Sequence, residues 1–489
     1  MARVLILGGG VAGHTAASFL SRWIGKGHEV VVVTPNSLWN WIPSNIFVGV
    51  GEMTKQEVTF PLAPIYKKAG VDYRQAKALS IHPEGKKTNT TPFVTIQYTG
   101  QDKAGQREEV AYDYLINATG PRLNFDATPG LGNGRGGIGS HTVSVCTADH
   151  AAHAARELEK VVTQMKQGAH KKFLIGMGHG TCTCQGAAFE YIFNVDHYLR
   201  EQGVRDKATI TYITNEYELG DFGIGGMHIK SGGYITSGKV FAESLYAERG
   251  IRWIKRVHIN SVEAGRVGYE RLDGTMGEES YDFAMLIPPF AGSGMRAFDK
   301  DSQEITDTLF AANGMMKVDA DYTPKPFEQW HPDDWPKTLQ NPTYANIFAV
   351  GIAFAPPHLI SKPMASPRGT PINPTPPRTG MPSAMMGKAV AASIRDMILH
   401  GATEPTHTAS MTQMGAACVA STGKGMFNGS AVAMTMYPIV PDFDRYEFGR
   451  DLHGTFGTIG LAGHWIKILL HHGFLWKAQL KPGWTLIPE

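Results

Sequence analysis

A chain of 489 residues can bury two or three cores, and 56 glycines with 29 prolines point to many turns rather than long helical bundles. With 46 basic against 44 acidic residues the net charge is only +2, which excludes a general nucleic-acid binder and favours small-molecule chemistry. The four cysteines, Cys146, Cys182, Cys184 and Cys418, are too few for a disulfide scaffold at this length.

The chain opens as strand, tight turn and helix. Ala2 to Leu7 is an apolar run, Gly8, Gly9, Gly10 and Gly13 follow at once, and helix formers extend from Val11 to Trp23. In a dinucleotide site Gly8 makes the turn, Gly10 lets the backbone approach a pyrophosphate, Gly13 lets helix pack on strand, and the helix N-terminus offers N–H groups. A second apolar run, Glu29 to Val33, stands where a βαβ unit returns. The carboxylate expected at its end to hold a ribose is missing, and Thr34, Pro35 and Asn36 occupy the place, so nicotinamide and flavin dinucleotides stay alternatives there. No signal peptide is expected ahead of the first strand, since Met1 is not followed by a charged and then apolar leader.

Leu38 to Val50 reads as an aromatic loop, either core or a cover over a flat ring system, with Trp39 and Trp41 beside Pro43 and Ser44. Strands are expected over Val94–Tyr98 and Val110–Ala118, and the second ends in Ala118-Thr119-Gly120, a motif that closes the first flavin segment in two-dinucleotide-domain flavoproteins. A second strand–turn–helix unit begins at Lys172–Ile175 with Gly176, Gly178 and Gly180. Thr181 and Cys182 replace its third glycine, Cys184 follows, and a helix from about Gln185 to Glu201 carries Glu190. This reads as a nucleotide fold that has lost its nucleotide. Further strands are expected over Ala208–Thr214, Ile251–Val257 and Tyr281–Pro289, and a loop over Asp319–Pro342. At Gly351 the Asp that follows in disulfide-reductase-like flavoproteins is replaced by Ile352. A proline-dense loop leads to a helix over Met381–His400, whose start points at the flavin ring. No window reaches roughly 18 uninterrupted apolar residues, so membrane contact has to be monotopic. The tail, Leu461 to Leu480, mixes Trp465, Ile466, Leu469, Phe474 and Trp476 with His464, Lys467, His471, His472 and Lys477. It either packs on the core or lies in a bilayer interface.

A free cysteine is most often a small buried hydrophobe, whereas a cysteine pair beside a flavin can pass two electrons. Zinc is disfavoured, because Cys182 and Cys184 have no second close-spaced ligand pair, and no metal is expected.

Over nearly its whole length the chain resembles sulfide:quinone oxidoreductase. The resemblance is carried by Gly8–Gly13, Gly27–Asn36 leading to Pro43–Gly51, Tyr112–Pro121, Val145–Ala151, Cys184–Glu190, Ile347–Pro357, Arg378–Gly380 and Ala417–Cys418. It implies an α/β fold of two Rossmann-like dinucleotide-binding domains, one for FAD and one a vestigial NAD type, plus a C-terminal membrane-associated segment. The implied FAD-binding domain is 1–125 with 316–400, the second domain 145–315, and the redox-cysteine and membrane-binding region 401–489. FAD would lie on Gly8, Gly10, Gly13, Asn36, Pro43, Ser44, Thr119, Gly120, Gly351, Thr379 and Gly380.

By the same resemblance Cys184 and Cys418 are the essential pair, bridged by sulfur at rest, and Cys146 is the third cysteine. Glu190 and His150 match proton-transfer residues, and Lys467 falls where a basic residue lines the quinone pocket. Cys182 has no matching role and is taken as structural. Asp221 stands where the family often has a His, which leaves proton handling there open. The implied activity is sulfide oxidation to polysulfide with reduction of a membrane quinone, by a homo-oligomer held monotopically on the cell inner membrane. The alternatives are a sulfide dehydrogenase flavoprotein feeding a cytochrome, an NADH:quinone reductase, which would need an intact second glycine turn, and a non-catalytic flavin-binding scaffold.

Overall fold

The computed structural model describes residues 1–489 except Ile138, Gly232, Arg378, Thr379, Lys424 and Asn428. Continuous Val, Ile and Leu runs buried on both faces make parallel strands. β1 (Arg3–Leu7) and β2 (Glu29–Thr34) are such runs and pair in parallel with Leu5 opposite Val31. α1 (Val11–Trp23) joins them with Ala12, Gly13, Ala16 and Ala17 turned inward.

The stretch after β2 is not the loop its sequence suggests. Leu38–Asn40 pairs with Thr59–Pro61, and a 3-10 turn at Ile42–Ser44 runs into α2 (Asn45–Gly49). Trp39 and Trp41 are buried in a ring stack with Phe60 and Phe474, which makes them core rather than a cover for a bound ring. β3 (Asp72–His82) continues the parallel sheet, and β4 (Phe93–Tyr98) and β5 (Arg107–Ala111) extend it antiparallel. Residues 110–118 form two strands instead of one. Asp113 turns the chain, its carboxylate accepting from the Arg3 N–H at 2.6 Å, and β6 (Tyr114–Asn117) then runs parallel to β1.

α3 (Ala148–Lys166) leads into a second parallel sheet. Its β7 (Lys171–Met177) is followed by α4 (Gln185–Glu201) and β8 (Ala208–Ile213), with β9 (Arg252–Ile254) beside β8 and β10 (Phe283–Ile287) on the other side of β7. The strand expected over Ile251–Val257 is interrupted at Arg256, whose φ of +62° is left-handed, and Val257 opens a separate antiparallel meander. β11 (Ile347–Ala349) returns to the first sheet, giving the order β11-β6-β1-β2-β3-β4-β5. α5 (Met381–His400) crosses α1 so closely that a Cβ on Gly387 would stand 2.3 Å from the Ala12 carbonyl oxygen. Last come β12 (Ala416–Gly423), β13 (Ser430–Met436) and β14 (Phe456–Gly460), an antiparallel sheet that carries α6 (Leu461–Ala478). Among the described residues no helix is long and apolar enough to cross a membrane.

Candidate functional site

The first glycine turn is shaped by what a side chain would strike. Gly8 has φ +106°, and a Cβ there would lie 2.1 Å from the Ala118 carbonyl oxygen; one on Gly13 would lie 2.0 Å from the Gly8 oxygen. A Cβ on Gly10 would meet nothing within 4 Å. Gly10 caps α1 without a side-chain hydrogen bond, and the first turn holds no acidic residue. Open space therefore sits in front of unpaired N–H groups at a helix N-terminus, which fits a dinucleotide pyrophosphate. Gly120 (φ +66°) and Gly380 (φ +51°) also face open space, and Gly380 begins α5 with neither side-chain cap nor acid. Gly351 (φ +66°) packs where α1 and α5 meet, its would-be Cβ 3.3 Å from Ala12 and 3.1 Å from the Ser383 hydroxyl. Thr119 is held by Asn117, and Asn36 lies exposed at the end of β2, its carbonyl accepting from Tyr73. Thr379 lies outside the described residues.

The second turn differs. Between β7 and α4 the chain takes the longer path Gly178–Cys184, and residues 371–375 lie directly on it. Asn373 N–H donates to the Gly180 carbonyl at 2.7 Å and Thr375 N–H to the Cys182 carbonyl at 3.1 Å. A Cβ on Gly180 would stand 2.4 Å from the Pro371 oxygen. The longer path ends on Cys184 in the left-handed conformation, φ +70° and ψ +35°, as the N-cap of α4. A non-glycine residue held there is strained, and such strain concentrates at functional sites.

Cys418 comes from β12, where it pairs with Met434. Its Sγ lies over the first turn of α4, 3.6 Å from where a Cβ on Gly186 would be, so the missing side chain leaves room beside the sulfur. Burial pushes the Cys418 thiol up to about 11, with the Glu190 charge adding and Lys467 opposing. Cys146 is likewise raised to about 11 by burial, its own N–H bonded to Ser144. Cys182 is fully buried and donates to the Ile287 carbonyl at 3.1 Å, the behaviour of a packing residue.

α4 and β12 are joined through Glu190 and Asn194, one turn apart on α4. The Ser421 N–H donates to Glu190 Oε1 at 2.9 Å, and Asn194 donates to the Ser421 carbonyl at 2.9 Å. Lys467 reaches in from α6 to Glu190 at 2.9 Å, with Nζ also 3.4 Å from the Pro43 carbonyl. Burial lifts the Glu190 carboxyl above the usual range, and Lys467 and the Ser421 N–H oppose it. One turn on, His471 Nδ1 meets the Ser44 hydroxyl at 2.9 Å; burial lowers this imidazole to about 4. α6 thus turns its basic side inward: Lys467 and His471 are buried while Trp465, Ile466, Leu469 and Trp476 are exposed.

The structure gathers Cys184, Cys418, Glu190 and Lys467 around the first turns of α4. His150 is placed on the first turn of α3, its ring edge-on to Phe125 at 5.7 Å and lowered to about 4, chiefly by burial. Asp221 bonds to Ser361 and to the Gly223 N–H at 2.9 Å, which ties two loops together. Sequence reasoning missed Gly186, Asn194 and Ser421. The Glu190 and Asn194 spacing of four residues was a usable signal; the strand partners were not.

Comparison with known proteins bears on the fold and on the activity. Residues 2–187 match the family model "Pyridine nucleotide-disulphide oxidoreductase". The chain is 28% identical over 478 residues to the sulfide-quinone reductase of Aquifex aeolicus, covering 97% of this chain and 91% of that one. It is 24% identical over 210 residues to the mitochondrial sulfide:quinone oxidoreductase of Dictyostelium discoideum, 43% of this chain and 41% of that one. The crystal structure of the Aquifex aeolicus sulfide:quinone oxidoreductase superposes with a TM-score of 0.74 at 27% identity, over 98% of this chain and 92% of that one. NDH2 from Plasmodium falciparum shares the fold, with a TM-score of 0.63 at 13% identity over 98% of this chain and 96% of that one. The chain is therefore an FAD-dependent oxidoreductase that is similar to sulfide:quinone oxidoreductase over nearly its whole length.

Proposed function

We propose that this enzyme oxidises sulfide at the Cys184–Cys418 pair and reduces a membrane quinone through FAD. The observation that carries the reading is the position of the Cys418 sulfur over the first turn of α4, beside Gly186 and two residues from the strained Cys184. A sulfur atom bonded to both cysteine sulfurs is open to attack by hydrosulfide, which forms one S–S bond as another breaks, so that one cysteine keeps the added sulfur and the other leaves as thiolate. FAD supplies the two-electron acceptor that couples this step to a quinone. We assign its cradle to Gly8, Gly10, Gly13, Asn36, Thr119, Gly120, Gly351, Thr379 and Gly380, in a unit of residues 1–125 and 316–400, with Pro43 and Ser44 on the side where α6 docks. The second unit, 145–315, holds no nicotinamide dinucleotide on this reading, since residues 371–375 cover its glycine turn.

Glu190, bonded to Lys467, moves a proton on the quinone side, and Lys467 faces the quinone head group; His150 and Cys146 support proton and product movement. Region 401–489 binds the inner membrane monotopically through the outward apolar face of α6, as a homo-oligomer. A cytochrome-feeding or NADH-oxidising enzyme gains no support from a covered turn and a lysine brought in by α6.

Anaerobic titration of the purified yellow protein tests the reading. Sulfide should bleach the flavin and quinone should restore it, whereas NADH should not bleach it. Cys184→Ser and Cys418→Ser should keep FAD and lose sulfide bleaching, because serine is a far poorer nucleophile and cannot carry sulfane sulfur. Rapid bleaching of either variant would sink the cysteine mechanism.

A further inference from the structure

The glycines around the second turn are there for structural reasons, with one exception. A Cβ on Gly176 would stand 1.8 Å from the Ile213 carbonyl oxygen, one on Gly178 3.0 Å from that of Ile287, and one on Gly180 2.4 Å from that of Pro371. Gly186, the second residue of α4, is different. Its backbone is helical rather than left-handed. Outside its own helix, a Cβ there would meet one described atom within 4 Å, the Cys418 sulfur at 3.6 Å. That is an ordinary contact distance, and alanine is the better helix former. Neither conformation nor packing asks for glycine at this position, yet a place beside a thiol is kept empty.

Two cysteines come to this turn. Cys184 is the N-cap of α4, two residues before Gly186, and Cys418 looks onto the same turn from β12. Cys184, Gly186 and Cys418 each keep partial exposure, so the place is reached from outside rather than sealed. An S–S bond is about 2.05 Å long, and a sulfur atom bonded to Cys418 and directed at α4 lies nearer to position 186 than the thiol itself does. The thiol already stands at contact distance from a Cβ there, so a methyl group and the added sulfur would compete for one space. No described residue of the assigned FAD cradle comes within 4 Å of that Cβ, which separates the place from the dinucleotide turn.

Resting on the reading of the cysteine pair above, we infer that Gly186 is a positioning residue of the reaction: the space left by its missing side chain holds the sulfur atom that joins Cys184 to Cys418. The glycine acts through the pair and takes no part in bond making. Its absent methyl lets one atom sit against the first turn of α4 while both cysteines stay where the helix cap and the strand put them. A side chain at 186 leaves the two thiols in place and removes the room for the atom between them.

The test is Gly186→Ala in the holoenzyme, read by thiol counting, flavin content and stopped flow. The variant should keep its FAD absorbance and a thermal midpoint equal to or above that of the original enzyme, since alanine favours the helix. Of the four cysteines, a thiol-alkylating reagent applied after unfolding should label two in the original enzyme, whose other two are bridged, and all four in the variant. Sulfide-driven bleaching of the variant should slow by about a hundredfold, the loss expected when reacting atoms are misplaced by about 1 Å. Dithionite, which needs no cysteine, should bleach both proteins at the same rate. Equal thiol counts or equal bleaching by sulfide would overturn the inference. Loss of FAD would overturn it by giving the space to the flavin ring, and a lower thermal midpoint or failure to fold would do so by showing a packing role. If the original enzyme itself carried four free thiols and did not bleach with sulfide, the sulfide reading would fall and the inference with it.

Discussion

Glu190 and Lys467 meet at 2.9 Å with both side chains more than nine-tenths buried, and neither has water to replace the other. Removing one partner of a buried pair leaves a desolvated charge and costs about 3 to 5 kcal/mol, although the pair as a whole adds far less than that. Lys467→Met should therefore lower the denaturation midpoint strongly, and adding Glu190→Gln should recover much of the loss. A double-mutant cycle in equilibrium unfolding measures this, and simple additivity of the two losses would show that the pair is uncoupled. The glycines of the first turn make a contrasting pair. Gly13→Ala drives a Cβ to within 2.0 Å of the Gly8 oxygen and should prevent folding. Gly10→Ala meets open space and should fold, but its methyl occupies the place of the pyrophosphate. A soluble, folded Gly10→Ala protein that has lost its yellow colour is the expected result; one that keeps full flavin absorbance would move the phosphate site elsewhere.

α6 is amphipathic in the reverse of the usual sense, with His464, Lys467, His471 and Lys477 buried and Trp465 (52% exposed), Leu469 (71%) and Trp476 (44%) facing out. The Trp465 indole donates to the Met426 carbonyl at 2.9 Å, so the exposed Met426 and Phe427 turn is tied to the same surface. On the proposed reading this tryptophan-bearing apolar face is the surface that lies in a bilayer interface. Changing Trp465, Leu469 and Trp476 together to Gln alters the outer face and removes the indole bonds to the Met426 and Pro482 carbonyls, which glutamine amides can replace, so each change should alter stability by no more than about 0.5 kcal/mol. The triple variant should keep its thermal midpoint, its FAD and its bleaching by sulfide, yet lose co-sedimentation with lipid vesicles and turnover with a long-tailed quinone. A water-soluble short-chain quinone should still be reduced. Undiminished vesicle binding would place the membrane contact on another surface.

At the scale of the whole molecule, His14 fastens the tail to the first domain. It is buried on α1, with Nδ1 3.1 Å from the Tyr66 hydroxyl and Nε2 2.8 Å from the Ala478 carbonyl at the end of α6. Burial lowers its pKa from 6.5 to about 4. The unfolded chain takes up a proton below pH 6.5 and the folded one does not until about pH 4. Stability from this residue is thus complete above pH 6.5 and is lost as pH falls, by about 2 kcal/mol at pH 5. The urea midpoint should drop between pH 8 and pH 5, and His14→Gln, which can still donate to Ala478, should narrow that gap. An unchanged gap would assign the acid sensitivity to other groups.

The two glycine turns, the helices at 185–201, 381–400 and 461–478, and the cysteines on separate segments were all legible in the sequence. Each is dictated locally: a left-handed φ or close approach demands glycine, and apolar periodicity marks a helix before anything packs on it. Where local signals compete, the reading slipped, as at Leu38–Val50, whose single proline and two tryptophans look like a loop but fold into core. The sense in which α6 faces was decided by tertiary structure alone. Its apolar and basic residues are intermixed, and it is Glu190, 277 positions away, with the Pro43 carbonyl and the Ser44 hydroxyl, that give the buried lysine and histidine partners. The same holds for residues 371–375 over the second turn. Periodicity records what a residue does to its own element, whereas a buried charge or a covered turn exists only once distant segments meet and exclude water.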